Sequence, residues 1–176
     1  MKYAVFLRGV NIGGKNIVRM KDLKSALAGK NFESINTYIN SGNVVFRYNG
    51  DKKKVKEIIT GVIESQFNLN IELFVKTEKE IEAIINKCPF NKDEADNSKR
   101  AVILLSDKID GRKIELFKDD DKIDENYYGF DDLLYIYYHN GAGRSRFTTL
   151  LIEKKLNVIS TGRNWNTIIK ISEMLK

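Results

Sequence analysis

Read from its first residue, the chain runs through strand-like and helix-like segments in the order β-α-β-β-α-β. It then repeats that order and adds one last helix. Strands show as two-residue alternation, helices as apolar residues three and four apart. In the first half the pattern predicts a strand over Lys2–Arg8, closed by Gly9, and a helix over Met20–Ala28 with Leu23 and Leu27 on one stripe. Strands follow over Ser34–Ile39 and Asn43–Tyr48, flanking the turn formers Asn40-Ser41-Gly42. A second helix over Lys52–Phe67 carries Val55, Ile58, Ile59, Val62 and Ile63 on its expected buried stripe, and a strand over Ile71–Lys76 completes the set. Right-handed connections between such elements give a four-stranded antiparallel sheet with both helices on one face.

A third helix is expected over Glu78–Lys87, opened by Thr77 and Glu80 at capping-box spacing and stopped before Pro89. The polar stretch Asn91–Arg100 reads as a linker. Beyond it the pattern resumes: a strand over Ala101–Leu105, a helix over Asp110–Phe117 and an acidic turn at Asp119-Asp120-Asp121. Strands over Glu125–Phe130 and Leu133–Tyr138 come next, then a helix over Ser145–Lys155 with Phe147, Leu150 and Leu151 expected to face inward, a short strand over Val158–Ser160 and a helix over Asn164–Leu175. The expected fold is α+β, two tandem ferredoxin-like βαββαβ halves with an added C-terminal helix. The expected domains are 1–90 and 91–176.

Composition narrows the setting. No stretch reaches the ~18 apolar residues of a membrane span, so no membrane partner is expected. The N-terminal apolar run ends at Arg8 after five residues. A secretory core needs about 7–15, so a buried strand is the better reading. One cysteine, Cys88, makes no internal disulfide and fits a reducing, cytoplasmic compartment. One cysteine and one histidine exclude a zinc site built from those ligands. Oxygen-ligated magnesium stays open, and the sequence names no metal site, cofactor or oligomeric state. The net charge of +6 favours nucleic acids, nucleotides or phosphorylated metabolites as partners, although many soluble proteins are mildly basic.

Three loops carry the polar residues worth weighing. Arg8-Gly9-Val10-Asn11-Ile12-Gly13-Gly14-Lys15-Asn16 combines glycines, which let backbone amides approach an anion, with two cations. It lacks the Gly-Lys-Ser/Thr ending of a phosphate-binding loop, and glycine is also the ordinary turn residue. Asn40-Ser41-Gly42-Asn43 offers amides that either shape the hairpin locally or line a pocket with the first loop. Gly143-Arg144-Ser145-Arg146 and Arg163-Asn164-Trp165-Asn166 place three arginines at expected helix starts, where backbone dipoles are already positive. A phosphate or carboxylate relieves that conflict, as does an acid elsewhere in the fold. Trp165 shares the i+3/i+4 face of Ile168 and Ile169 and is expected in the core. His139 and Cys88 have no catalytic partner in view. The tyrosines of the 125–138 hairpin resemble base-stacking aromatics but suit strands in any case.

Taken together, Leu7–Asn16, Tyr38–Phe46, Cys88-Pro89-Phe90, Gly143–Arg146 and Arg163–Thr167 resemble the DUF1697 family of uncharacterised bacterial proteins. The resemblance implies a bacterial-type cytosolic protein with two ferredoxin-like halves and carries no catalytic residues with it. The family commonly has Asn where Cys88 stands, and Pro where Arg19 precedes Met20. The leading expectation is a protein that binds a phosphate-bearing ligand, a nucleotide or nucleic acid. Its expected site draws on Arg8, Asn11, Lys15, Asn16, Asn40, Ser41, Asn43, Arg144, Arg146, Arg163, Asn164 and Asn166. The alternatives are an enzyme acting on a small anionic metabolite and a non-catalytic interaction module using the tyrosine-rich hairpin.

Overall fold

Two four-stranded antiparallel sheets and six α-helices make up the described part of the chain. The computed structural model describes residues 1–90, 96–118, 120 and 123–176. They group into two compact units, Met1–Asn86 with Ile169–Lys176, and Lys87–Ile168.

In the first unit the strands are β1 (Lys2–Leu7), β2 (Glu33–Tyr38), β3 (Asn43–Arg47) and β4 (Leu73–Thr77), in the order β2-β3-β1-β4. The helices α1 (Met20–Ala28) and α2 (Lys52–Phe67) pack against this sheet. Alternation in β1 puts Tyr3, Val5 and Leu7 into a core with Leu23 and Leu27 of α1 and Val55 and Ile59 of α2. Asp51 caps α2 by accepting the Lys54 amide at 2.8 Å, and Asn68 ends it in the left-handed region at φ 53°. α3 (Glu78–Asn86) opens with the expected box: the Thr77 amide donates to Glu80 Oε2 at 2.8 Å, and the Glu80 amide to Thr77 Oγ1 at 3.3 Å.

The second unit holds β5 (Arg100–Leu105), β6 (Asn126–Phe130), β7 (Leu133–Tyr137) and β8 (Ser160–Asn164), in the order β6-β7-β5-β8. α4 (Gly111–Ile114), continued by a 3-10 turn over Glu115–Phe117, and α5 (Thr149–Leu156) belong to this unit. The core gathers Ile103 and Leu105 of β5, Leu134 and Ile136 of β7, Phe117, Phe147, Ile152 and Leu156. α6 (Trp165–Leu175) follows β8 directly.

Several expected elements shift. α5 starts at Thr149, not Ser145, because Thr148 is extended and caps it, its Oγ1 accepting the Leu151 amide at 3.3 Å. Leu150, expected to face inward, is 71% exposed. The last strand lies over Ser160–Asn164 rather than Val158–Ser160, paired along its length with β5. Residues 91–95 of the expected linker lie outside the described residues; Asn97–Lys99 is a 3-10 turn capped by Asp96. Of the acidic turn, Asp119 and Asp121 likewise lie outside the described residues, and Asp120 pairs with Lys155 at 3.0 Å. Among the described residues no helix is long and apolar enough to cross a membrane.

Candidate functional site

The polar residues singled out in the sequence fall in both units. In the first unit, the loop after β1 folds back as a tight turn. The Asn11 amide donates to Asn16 O at 3.1 Å and the Lys15 amide to Ile12 O at 3.0 Å. Gly13 and Gly14 at φ 57° and 75° make this two-residue reversal possible. Asn11, itself at φ 56°, ties the loop together. Its Nδ2 donates to Val18 O at 2.9 Å and to Asn40 O at 2.7 Å, and its Oδ1 accepts the Val18 amide at 2.9 Å. Asn16 Nδ2 donates to Gly9 O at 3.0 Å.

The β2–β3 turn meets this loop. The Leu7 amide donates to Gly42 O at 2.8 Å. Gly42 lies so close that an added Cβ would sit 2.5 Å from Val10 Cγ2. Asn43, fully buried, donates to Tyr38 O and Ser41 Oγ, both at 3.0 Å. The expected neighbourhood of the two loops is thus present, and the Asn11, Asn16 and Asn43 amide groups donate to acceptors within the protein. Lys15, Asn40 and Ser41 are exposed, and Arg8 is half-buried.

In the second unit, Arg144 closes a 3-10 turn over Ala142–Arg144, and Arg146 lies two residues on in the approach to α5. Neither stands at the start of an α-helix, which corrects the sequence expectation. Ser145 between them is extended, at φ −78° and ψ 146°. Ser145 Oγ donates to Glu125 Oε1 and accepts the Phe147 amide at 2.9 Å. Tyr138 OH donates to Phe147 O at 3.1 Å. Burial, and secondarily the Glu125 charge, holds the Tyr138 phenol well above its ordinary pKa, so it stays a donor. Glu125 is 9% exposed. Arg144 and Arg146 are both exposed, and neither forms an ion pair among the described residues.

Arg163 is placed differently. It lies within β8, opposite Val102, and is 7% exposed. Its Nη1 donates to Thr161 Oγ1 and Gly162 O, both at 2.8 Å, and burial pulls its pKa down to about 10. Arg163 therefore belongs to the strand, two residues before α6 begins at Trp165. Asn164 serves that start instead: its Oδ1 accepts the Asn166 amide at 2.9 Å, while its Nδ2 donates to Ser98 O at 2.9 Å. Asn166 is exposed. Trp165 is core, 4% exposed, with its ring centroid 6.5 Å from that of Tyr135. His139 is exposed and meets the Tyr137 ring edge-on. The tyrosine-rich hairpin is mixed: Tyr135 and Tyr138 are buried, and Tyr128 is exposed.

Glu125 is the residue that sequence reasoning missed. No spacing marks it, because its partner Ser145 is 20 residues away and the contact is made by the fold.

No curated protein matches the chain. Among solved structures, a conserved bacterial protein from Streptococcus pneumoniae is similar over 99% of this chain and 98% of its own, with 23% identity and a TM-score of 0.76. That likeness is one of fold. The model of a family described as proteins of unknown function, DUF1697, matches residues 1–135, so Gly143–Arg146 and Arg163–Thr167 lie beyond the matched span. With more than half of its length matched, the chain belongs to the DUF1697 family.

Proposed function

We propose that this protein binds a phosphate-bearing ligand, a nucleotide or nucleic acid, and that Arg144 and Arg146 are its principal contacts. One observation carries the reading: two exposed guanidinium groups flank Ser145, whose side chain is anchored, and have no acid partner among the described residues. Ser145, tied to Glu125 and the Phe147 amide, fixes the backbone between them. Less side-chain and loop freedom is then lost on binding than at a mobile loop. Guanidinium groups match phosphate oxygens in fork geometry, which suits them to this ligand class better than point charges. The net charge of +6 supports the same reading through long-range attraction.

Lys15 and the exposed amides near it form a second polar surface, on the first unit. The architecture behind this reading is a pair of ferredoxin-like halves; what supports it is that each sheet sets its first and third strands at the centre and its second and fourth at the edges. Fluorescence-anisotropy titration of labelled oligonucleotides and nucleotides at several salt concentrations tests the function. Affinity that falls as salt rises supports it, and absent or salt-independent binding removes it.

A further inference from the structure

The first sheet sets two cationic residues side by side, away from the loops described above. Lys2 in β1 and Arg47 in β3 are directly opposed in the antiparallel register. Opposed residues share a face with Cβ atoms roughly 5 Å apart, and like charges there destabilise a sheet. Beside them β2 is irregular, its register shifting between Glu33 and Asn36. Ser34 within the shift takes φ +54°, an uncommon conformation for a residue with a side chain. Bulges of this kind re-aim side chains and often border functional sites.

A cavity of about 80 Å³ opens there, lined by Lys2, Ser34, Asn36 and Arg47 of the sheet and by Met174 and Lys176 at the end of the chain. Lys2 Nζ forms an ion pair with Glu78 Oε1 and donates to Lys176 O, both at 2.9 Å. That leaves one of its three donors. Arg47 is exposed and forms no ion pair among the described residues, even though Glu33 stands opposite it across β2 and β3. Asn36 accepts from Lys24 at 3.4 Å. Arg47, Lys176, the Glu78-paired Lys2, a hydroxyl and an amide therefore border this small recess, together with Val45, Phe46 and Leu175.

We propose that this recess binds a tetrahedral oxyanion: inorganic phosphate or the phosphoryl group of a phosphomonoester. The size fits, since 80 Å³ corresponds to about three waters at ~30 Å³ each. A nucleoside is too large for it, so a phosphomonoester inserts its phosphoryl group and leaves the rest outside. A bound dianion accepts from Arg47, the third Lys2 donor and Ser34 Oγ. The site lies on the first unit, uses none of Arg144, Ser145 and Arg146, and stands or falls apart from the function proposed above.

The test is a titration of ¹⁵N-labelled protein at low salt with inorganic phosphate and, separately, with methyl phosphate. Saturable shifts of the Ser34, Asn36 and Arg47 resonances are expected. Arg47→Ala weakens binding by at least about tenfold, the loss of a charge-assisted hydrogen bond. Arg47→Lys, which keeps the charge and loses the fork, falls between wild type and Arg47→Ala. Tighter saturation by methyl phosphate assigns the site to phosphomonoesters, and the reverse order assigns it to free phosphate. Absence of saturable shifts at these three residues, or an Arg47→Ala variant with wild-type affinity, overturns the proposal.

Discussion

Ser145 donates its hydroxyl to Glu125 Oε1 and accepts the Phe147 amide at 2.9 Å through the same oxygen, so one small side chain joins β6's entry to the approach of α5. Glu125 Oε2 is buried and has no hydrogen-bond partner among the described residues. Ser145→Ala leaves the second carboxylate oxygen unmet as well, and a loss of roughly 1–3 kcal/mol is expected for a buried group so abandoned. Replacing both partners, as in Ser145→Ala/Glu125→Leu, recovers much of that loss, because no polar atom is then stranded. Urea unfolding of the two variants beside wild type measures both effects; equal stability of Ser145→Ala and wild type contradicts them.

Gly42 and Gly13 both take positive φ, yet alanine affects them differently. At Gly13 no atom lies within 4 Å of an added Cβ, so Gly13→Ala costs the left-handed conformation alone, about 1–2 kcal/mol. At Gly42 the Cβ meets Val10 Cγ2 at 2.5 Å and Leu7 Cβ at 2.8 Å, which adds roughly 1–3 kcal/mol of overpacking. Thermal denaturation therefore ranks Gly42→Ala well below Gly13→Ala. The opposite ranking contradicts the close approach of the two loops.

Asn11 is expected to matter for folding rather than contact. Its side chain makes hydrogen bonds to Val18 N, Val18 O and Asn40 O. Asn11→Ala forfeits all three, and about 1–3 kcal/mol of stability is lost at partly buried groups of this kind. Hydrogen exchange reads this locally: the Val18 amide loses protection while β7 amides keep theirs.

These loops show where the sequence was legible and where it was not. The α1 and α2 limits follow from 3.6-residue periodicity, and Leu23, Leu27, Val55 and Ile59 are all buried. The Thr77–Glu80 box and the core position of Trp165 were readable because each is settled by neighbours a few residues away. β8 was misplaced because Ser-Thr-Gly-Arg-Asn has no apolar alternation; it is a strand through pairing with β5, which lies some 60 residues earlier. The start of α5 was set four residues early because Ser145 reads as a cap by type, whereas its hydroxyl is engaged with Glu125 and Thr148 does the capping. Asn11 was singled out as a ligand contact by composition, and its hydrogen bonds show it bracing the loop.

Glu80 gives the stability of the first unit a pH dependence. Burial alone would raise its pKa, but hydrogen bonds from Lys52 and from the Thr77 amide and hydroxyl outweigh it and leave the carboxyl below its ordinary value. A depressed folded-state pKa contributes stability that is present above the unfolded carboxylate pKa and lost as pH falls through the folded one. The advantage of wild type over Glu80→Gln is therefore largest near neutrality and shrinks as pH drops below ~4.5. Because Glu80 is substantially solvent-accessible, that advantage stays small, within about 1 kcal/mol. Stability curves from pH 7 to pH 3 show it; a difference that grows on acidification contradicts the assignment.

The central claim is that Arg144 and Arg146 meet phosphates directly. The most direct measurement is the salt dependence of single-stranded oligonucleotide affinity for wild type and for Arg144→Ala/Arg146→Ala. Each phosphate contact contributes about 0.7 to the slope of log affinity against log salt, so removing two lowers its magnitude by about 1.4 and weakens binding. A double variant that binds as tightly as wild type, with the same slope, contradicts the account.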